Sequence, residues 1–446
     1  MDFLNGKIKT LYGKYLISAF GSALITSIYS IVDMAIVGQY HGPEGTAALA
    51  VVAPIWNMIY SLGLLMGIGG SVLFGTARGK GGSQSRKSNE YFTVSVIGSA
   101  VLALITWLMI VIFDRELLVF FGADASTLTL AMEYVYPVKF VIPCFLFTQT
   151  LAAYLRNDKN PALATAAVLA GGIFNIFGDY FFVFTCDMGA MGAGLATAIG
   201  SVISILVMFS HFLRKKNTLR IVKPSGFFSK FREISVTGFS TFFIDIAMGV
   251  LTILFNRQIM AYIGTNALSV YGVIVNISTF VQCCAYSVGQ ASQPIISANF
   301  GAGKGGRIVQ TLKYALLTAV VFGFVWTILC MAIPNQFIRV FMKPTEKVLE
   351  ITPAIIRSYG ISFLLLPLNI FSTYYFQAII KPKAAFMVSI SRGLIISGAF
   401  ILLLPVVLGA NSVWFAMPLT ECIVAVYVVY EMIRYTKELK KQKKVG

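Results

Sequence analysis

The chain has 446 residues, of which 57% are hydrophobic and 12% charged, and its mean hydropathy is +0.80. Soluble domains do not reach such values, so an integral membrane protein is expected, and apolar runs of about 20 residues argue for helices rather than a barrel. The formal charge of +17 sits in connectors between apolar runs, not on a basic domain, which points to anionic lipid headgroups and argues against a nucleic-acid partner.

In chain order, hydropathy predicts an all-α membrane protein with twelve transmembrane helices, near 15–40, 48–76, 91–113, 129–155, 162–185, 189–213, 233–262, 267–299, 313–334, 352–378, 384–408 and 412–433. The first follows Lys7, Lys9 and Lys14 and is too long for a signal-peptide core. Connectors after even-numbered helices collect the cations: Arg78, Lys80, Arg86 and Lys87; Arg156 and Lys159; Arg214, Lys215, Lys216, Arg220, Lys223 and Lys230; Lys304 and Arg307; Lys381 and Lys383. The tail adds Arg434, Lys437, Lys440, Lys441, Lys443 and Lys444 on the same side. Positive-inside bias therefore predicts a multi-pass plasma or inner-membrane protein with both termini cytoplasmic. The connector after the ninth helix, with Arg339, Lys343 and Lys347, departs from this bias.

Residues 214–232 contain Pro224, Ser225 and Gly226 at mid-chain and read as a cytoplasmic linker between an N-lobe, 1–213, and a C-lobe, 233–446. The lobes look like repeats. Ala48-Leu49-Ala50-Val51 is echoed by Ala267-Leu268-Ser269-Val270 (267 − 48 = 219), Gly79-Lys80-Gly81-Gly82 by Gly303-Lys304-Gly305-Gly306 (303 − 79 = 224), and Pro161 by Pro382 (382 − 161 = 221). Six helices per half give both halves one orientation, hence two pseudo-symmetric six-helix lobes about an axis along the membrane normal. Cys144, Cys186, Cys283, Cys284, Cys330 and Cys422 show no metal spacing and read as small buried hydrophobes.

Asp33 lies inside the first apolar span, where an Asp costs roughly +2.5 to +3.5 kcal/mol and marks an ion or substrate path. Asn175 and Asp179, at i and i+4, share one face of the fifth helix. At about 1.5 Å per residue, Asp33 and Asp179 fall ~26 Å from the cytoplasmic ends and Thr197 ~12 Å from the outer end, so all three occupy the outer half. Asp33, Asn175, Asp179 and Thr197 are the candidate cation-binding set, suited to Na+ or a proton. Each residue alone also fits an inter-helix hydrogen bond. In the second half, Asp245 stands in mid-helix seven, while Asn276, Thr279, Cys283, Tyr286, Gln290 and Gln293 form a polar stripe on helix eight. Asp245, Asn276, Gln282 and Gln290 are candidate substrate contacts, and Arg392 with Glu421 is a candidate structural ion pair. A minority of the 36 Phe, 20 Tyr and 16 Met lining a cavity would suit flat lipophilic cations.

Tyr-Ser-Ile-Val-Asp-Met-Ala-Ile-Val-Gly (29–38), Ala-Leu-Ala-Val (48–51), Leu-Arg-Asn-Asp-Lys-Asn-Pro (155–161), Asn-x-x-x-Asp (175–179) and Gln-Pro-Ile-Ile-Ser-Ala-Asn-Phe-Gly-Ala (293–302) together resemble the prokaryotic multidrug and toxic compound extrusion (MATE) transporters. The resemblance implies a V-shaped transporter of two lobes that works by alternating access. It further implies export of small organic cations driven by inward Na+ or H+, with no cofactor and with Asp33, Asn175, Asp179 and Thr197 as the cation site. Ser18 stands where many relatives carry a proline, and Asn369 where some branches place an acid. A monomer in contact with membrane lipids is expected. The rival within transport is a lipid-linked precursor flippase, which calls for a more basic cavity. A membrane enzyme is poorly supplied with general acid–base groups, since His41 and His211 are the sole histidines.

Overall fold

The structure, a computed structural model, describes residues 2–81, 84–215, 217–341 and 344–442. Gly82, Lys216, Lys343, Lys443 and Lys444, named above, lie outside the described residues. Among the described residues, twelve helices are long and apolar enough to cross a membrane: α1 Ile8–His41, α2 Glu44–Lys80, α3 Arg86–Phe120, α4 Thr127–Asn157, α5 Pro161–Thr185, α6 Gly189–Leu213, α7 Phe227–Tyr262, α8 Thr265–Gly301, α9 Gly305–Ala332, α10 Glu346–Ala378, α11 Pro382–Leu408 and α12 Ala410–Lys440. No strand occurs among the described residues. The protein is therefore an all-α, multi-pass membrane protein.

Several helices outrun their apolar runs. α1 begins at Ile8 rather than near 15, and α7 at Phe227 rather than near 233. Lys, Arg and Glu are good helix formers, so the polar flanks stay helical beyond the stretch that hydropathy detects. Local irregularities interrupt the spans. α3 is kinked at Phe113 (φ −119, ψ 27), and α4 tightens to a 3-10 turn at Lys139–Val141, just after Pro137. α5 ends in a π-helical turn, Phe181–Thr185, and α11 carries another at Ser391–Ile395.

The chain forms two compact units, one of Met1–Asp2 and Ile17–Phe242, the other of Phe3–Leu16 and Phe243–Gly446. In the first, α5 and α6 meet through small residues: a Cβ on Gly200 would come 2.7 Å from the Gly171 carbonyl oxygen, and one on Gly178 3.0 Å from the Ala196 Cβ. Such contacts allow close helix approach in lipid. Apolar packing around Leu146, Val183, Ala190 and Ala193 fills the space between α4, α5 and α6.

The residues after α6 are held against the same unit. Arg220 N–H donates to Asn89 Oδ1 (3.2 Å) and Val222 N–H to Thr93 Oγ1 (2.9 Å). Glu90 accepts from the Ser225 hydroxyl and pairs with Lys230, both at 2.9 Å. One turn of α3 thus provides three acceptors to the crossing chain. Alongside, Asp158 pairs with Arg78 (2.8 Å) and His211 (2.7 Å) and accepts from the Thr218 N–H (3.0 Å). Burial alone would raise the Asp158 carboxyl, but hydrogen bonds from His211 and Thr218 and the charge of Arg78 outweigh it and hold the carboxyl below its usual range.

In the second unit the N-terminal segment is tied down: Arg307 donates to the carbonyls of Phe3 (2.9 Å) and Gly6 (2.7 Å), and Asn299 to Phe3 (3.0 Å). At membrane depth, Arg392 Nε meets Glu421 Oε1 at 2.7 Å, with both side chains nearly inaccessible. Asn369 Nδ2 takes the other oxygen, Oε2, at 2.6 Å. The ion pair expected from the sequence is present, and the residue in the acid-bearing position of helix ten is its third member. The cysteines divide: Cys283, Cys284 and Cys330 are buried, Cys144 is half-buried, and Cys186 and Cys422 are exposed, contrary to the uniform burial expected. Cys186 falls in the α5–α6 connector and Cys422 on an outward face of α12, places that hydropathy does not distinguish from core.

Candidate functional site

Within the first unit, Asp33, Tyr134, Thr197, Asn175 and Asp179 are linked in that order. Tyr134 OH donates to Asp33 Oδ2 at 2.7 Å and lies 3.4 Å from Thr197 Oγ1. Asn175 Nδ2 donates to Thr197 Oγ1 at 2.9 Å and to Asp179 Oδ1 at 3.3 Å. The close α5–α6 approach at Gly171 and Gly200 brings Asn175 to Thr197. All five residues are buried, Asp179 completely.

The direction of these bonds decides what the cluster can do. A phenol has one proton, and Tyr134 gives it to Asp33, so in its contact with Thr197 it accepts. Thr197 then spends its only proton on Tyr134, and both amide protons of Asn175 are engaged. Every donor is consumed. What remains are three buried oxygens without a partner, Asp33 Oδ1, Asn175 Oδ1 and Asp179 Oδ2. Buried polar atoms are rarely left so. Acceptors left without a donor in one linked cluster are complementary to a positive charge, either a hard monovalent cation or a proton held by a carboxylate. Among the described residues, no three His, Cys, Asp or Glu side chains converge as a metal cluster would require.

Asp33 also lines a cavity of about 220 Å³ together with Tyr29, Met34, Trp56, Phe145 and Gln149. Trp56 and Phe145 stand edge to face, with ring centroids 4.4 Å apart. The cavity thus couples a carboxylate to aromatic faces and a methionine, a lining suited to a flat lipophilic cation.

All four residues expected to form the cation set are brought together. Tyr134 was not among them, although the same depth arithmetic points to it: it lies seven residues into α4, as Thr197 lies eight into α6, and both helices enter from one side. Trp56, Phe145 and Gln149 carry no sequence signal that separates them from lipid-facing or packing residues.

The second-half candidates are more scattered. Asp245 Oδ1 accepts from Tyr286 OH at 3.1 Å, while its Oδ2 is buried without a partner. Asn276 bonds back to Gly272 O of its own helix at 3.1 Å. Gln282 and Gln290 are buried on α8. Among the described residues, no hydrogen bond joins these three to Asp245.

The MatE family profile matches residues 18–181 and again 239–401. The chain belongs to the MatE family. The two matches begin 239 − 18 = 221 residues apart, the interval of the internal repeat. This MatE chain is 26% identical over 384 residues to the multidrug export protein MepA of Staphylococcus saprophyticus, covering 84% of this chain and 82% of the relative. It is 24% identical over 417 residues to the MepA of Staphylococcus aureus, covering 92% and 91%. Among solved structures, an outward-facing multidrug resistance MATE family transporter of the MOP superfamily superposes with a TM-score of 0.90 at 20% identity, over 98% of both chains. A MOP superfamily transporter from Pyrococcus furiosus, described as having a binding pocket of reversed polarity, gives 0.90 at 19% identity over 98% of both chains. These likenesses show the fold. A MatE chain is a transporter, not an enzyme.

Proposed function

We propose that this MatE transporter is an antiporter that exports lipophilic, mostly cationic organic compounds in exchange for an inward-moving Na+ or H+. The observation that carries this reading is the donor-exhausted cluster, whose three free acceptors border the aromatic cavity through the shared Asp33. A cation bound at Asp33 and Asp179 and an organic cation beside Asp33 compete electrostatically for the same negative charge. Exchange follows if the coupling ion binds more tightly in one of two alternating states, because equal affinity for both would shift nothing. The names of the staphylococcal relatives, multidrug export proteins, agree with this substrate class.

In this reading residues 1–213 and 233–446 act as the N- and C-lobes of a monomer, both termini are cytoplasmic, and the basic connectors face anionic lipid headgroups. Asp245, with its free Oδ2, and Asn276, Gln282 and Gln290 serve the substrate path of the C-lobe. The flippase alternative needs an unpaired basic group at membrane depth, and Arg392 is neutralised by Glu421 at 2.7 Å.

The test is efflux of a fluorescent lipophilic cation from proteoliposomes, wild type against Asp179→Asn, under a Na+ gradient alone and a pH gradient alone. Export by wild type under one gradient, and by the variant under neither, supports the reading and names the ion. Wild type inert under both overturns the substrate class.

A further inference from the structure

At the far end of α1, beyond Asp33, His41 is bonded to a helix it does not belong to. The Ala190 N–H donates to His41 Nε2 at 3.0 Å. Ala190 is the second residue of α6, so its N–H has no partner within that helix, and the ring caps the first turn of α6 from α1. The fit is close on two sides. A Cβ on Gly189, which has φ +54, would stand 2.5 Å from His41 Nε2, and one on Gly45 would stand 2.8 Å from the His41 Cβ. Glycine at the left-handed position 189 leaves the ring its room.

A main-chain N–H can only donate, so His41 Nε2 accepts and the single ring proton sits on Nδ1. The contact therefore selects the neutral imidazole. A second proton, on Nε2, sets donor against donor, strips the partner from the N–H of a fully buried residue and places a cation at the positive end of α6. The titratable and charged groups around the ring are Tyr40, Glu44 and Asp187. Tyr40 meets the imidazole edge to face at 4.7 Å, and its OH donates to Asp187 Oδ1 at 2.5 Å. Glu44, at the start of α2, is exposed, as is Asp187 in the α5–α6 connector. Asp187 lies three residues before Ala190 (190 − 187 = 3), so a protonated ring has a carboxylate in the same connector to turn to.

We propose that His41 is a positioning residue that works as a latch: neutral, it fastens the end of α1 to the start of α6; protonated, it lets go of Ala190 and turns to Asp187. The latch stands about two helical turns from each part of the cation cluster. Asp33 is 41 − 33 = 8 residues away on α1, Thr197 is 197 − 190 = 7 residues beyond Ala190 on α6, and Asp179 is 187 − 179 = 8 residues before Asp187. One imidazole thus holds together, at one end, the helices that carry all three. In the antiport reading, on which the role of the latch rests, this is the outer end. Acid outside then loosens the cluster from the side on which the coupling ion arrives, whichever ion that is.

The experiment uses the full chain. Cys186, exposed and next to Asp187, carries an environment-sensitive fluorophore that does not itself titrate, with the other exposed cysteine removed by Cys422→Ser. Titration of the purified protein from about pH 8 to about pH 5, the range in which an imidazole gains its charge, is expected to give one reversible transition. His41→Gln, whose amide oxygen still accepts from Ala190, stays at the alkaline level, and His41→Arg, always charged, stays at the acid level. Asp33→Asn with Asp179→Asn keeps the transition. No transition in wild type, a transition that persists in His41→Gln, or one lost in the Asp33→Asn, Asp179→Asn protein overturns the latch. Asp187→Asn is expected to move the transition to lower pH, and an unmoved one overturns Asp187 as the second resting place. In proteoliposomes at about pH 8, His41→Arg is expected to export dye faster than His41→Gln, and equal rates overturn the role of the latch in export. Wild type inert under both gradients overturns the antiport reading while the fluorescence transition stands.

Discussion

Tyr134 on α4 donates its phenol proton to Asp33 on α1 at 2.7 Å, and so compels Thr197 to turn its own proton toward Tyr134. This single bond sets the direction of the whole cluster. A hydrogen bond to a charged group is worth about 1.5–3 kcal/mol. Tyr134→Phe removes it and frees the Thr197 proton to point into the site, where it opposes a cation. Gradient-driven dye export is expected to fall about ten-fold or more with dye binding retained, read by efflux and by fluorescence titration.

Gly200 is where α6 lies close against α5, since a Cβ there would stand 2.7 Å from the Gly171 carbonyl oxygen. Gly200→Val must push the helices apart and lengthen the Asn175 to Thr197 bond, now 2.9 Å. Overpacking of this kind costs typically 1–3 kcal/mol. A lower melting temperature together with lost export is expected. Gly249→Val serves as the control, because nothing lies within 4 Å of a Cβ at that position.

Arg392 and Glu421 are paired at 2.7 Å and almost wholly buried. Removing one partner strands a charge, typically at a cost of 3–5 kcal/mol, whereas replacing both with apolar residues is often neutral or stabilising. Arg392→Met alone is expected to lower the melting temperature in detergent sharply. Arg392→Met with Glu421→Leu should recover much of the loss, and a double variant as unstable as the single one would argue for a role beyond structure.

The Asp158 carboxyl is held below its usual range in the folded protein, so the unfolded chain binds its proton more readily. The resulting stability is complete above the unfolded value, near pH 3.9, and is lost as pH falls below it through the folded value. Melting temperatures measured from pH 6 down to pH 3 should fall more steeply for wild type than for Asp158→Asn, which has no such proton to gain.

The twelve spans were legible in the sequence because lipid demands long uninterrupted apolar runs and leaves polar residues for the connectors. Asp33, Asn175, Asp179 and Thr197 were legible for a related reason: a polar group at membrane depth is costly, so it stands out, and helical rise with i, i+4 spacing fixes its level and face. Helix ends, the attachment of residues 217–230 to α3 and the packing of Phe3–Leu16 with the second unit were decided by tertiary structure. These depend on contacts between segments tens to hundreds of residues apart, such as Arg307 to Phe3 and Val222 to Thr93. The tertiary structure alone also supplied Trp56 and Phe145 and singled out Tyr134, whose depth was legible in the sequence but whose facing was not, since aromatic side chains are common in every span and only packing turns one of them inward. Above all it supplied the direction of each hydrogen bond in the cluster, because that direction depends on how many protons each group has left to give.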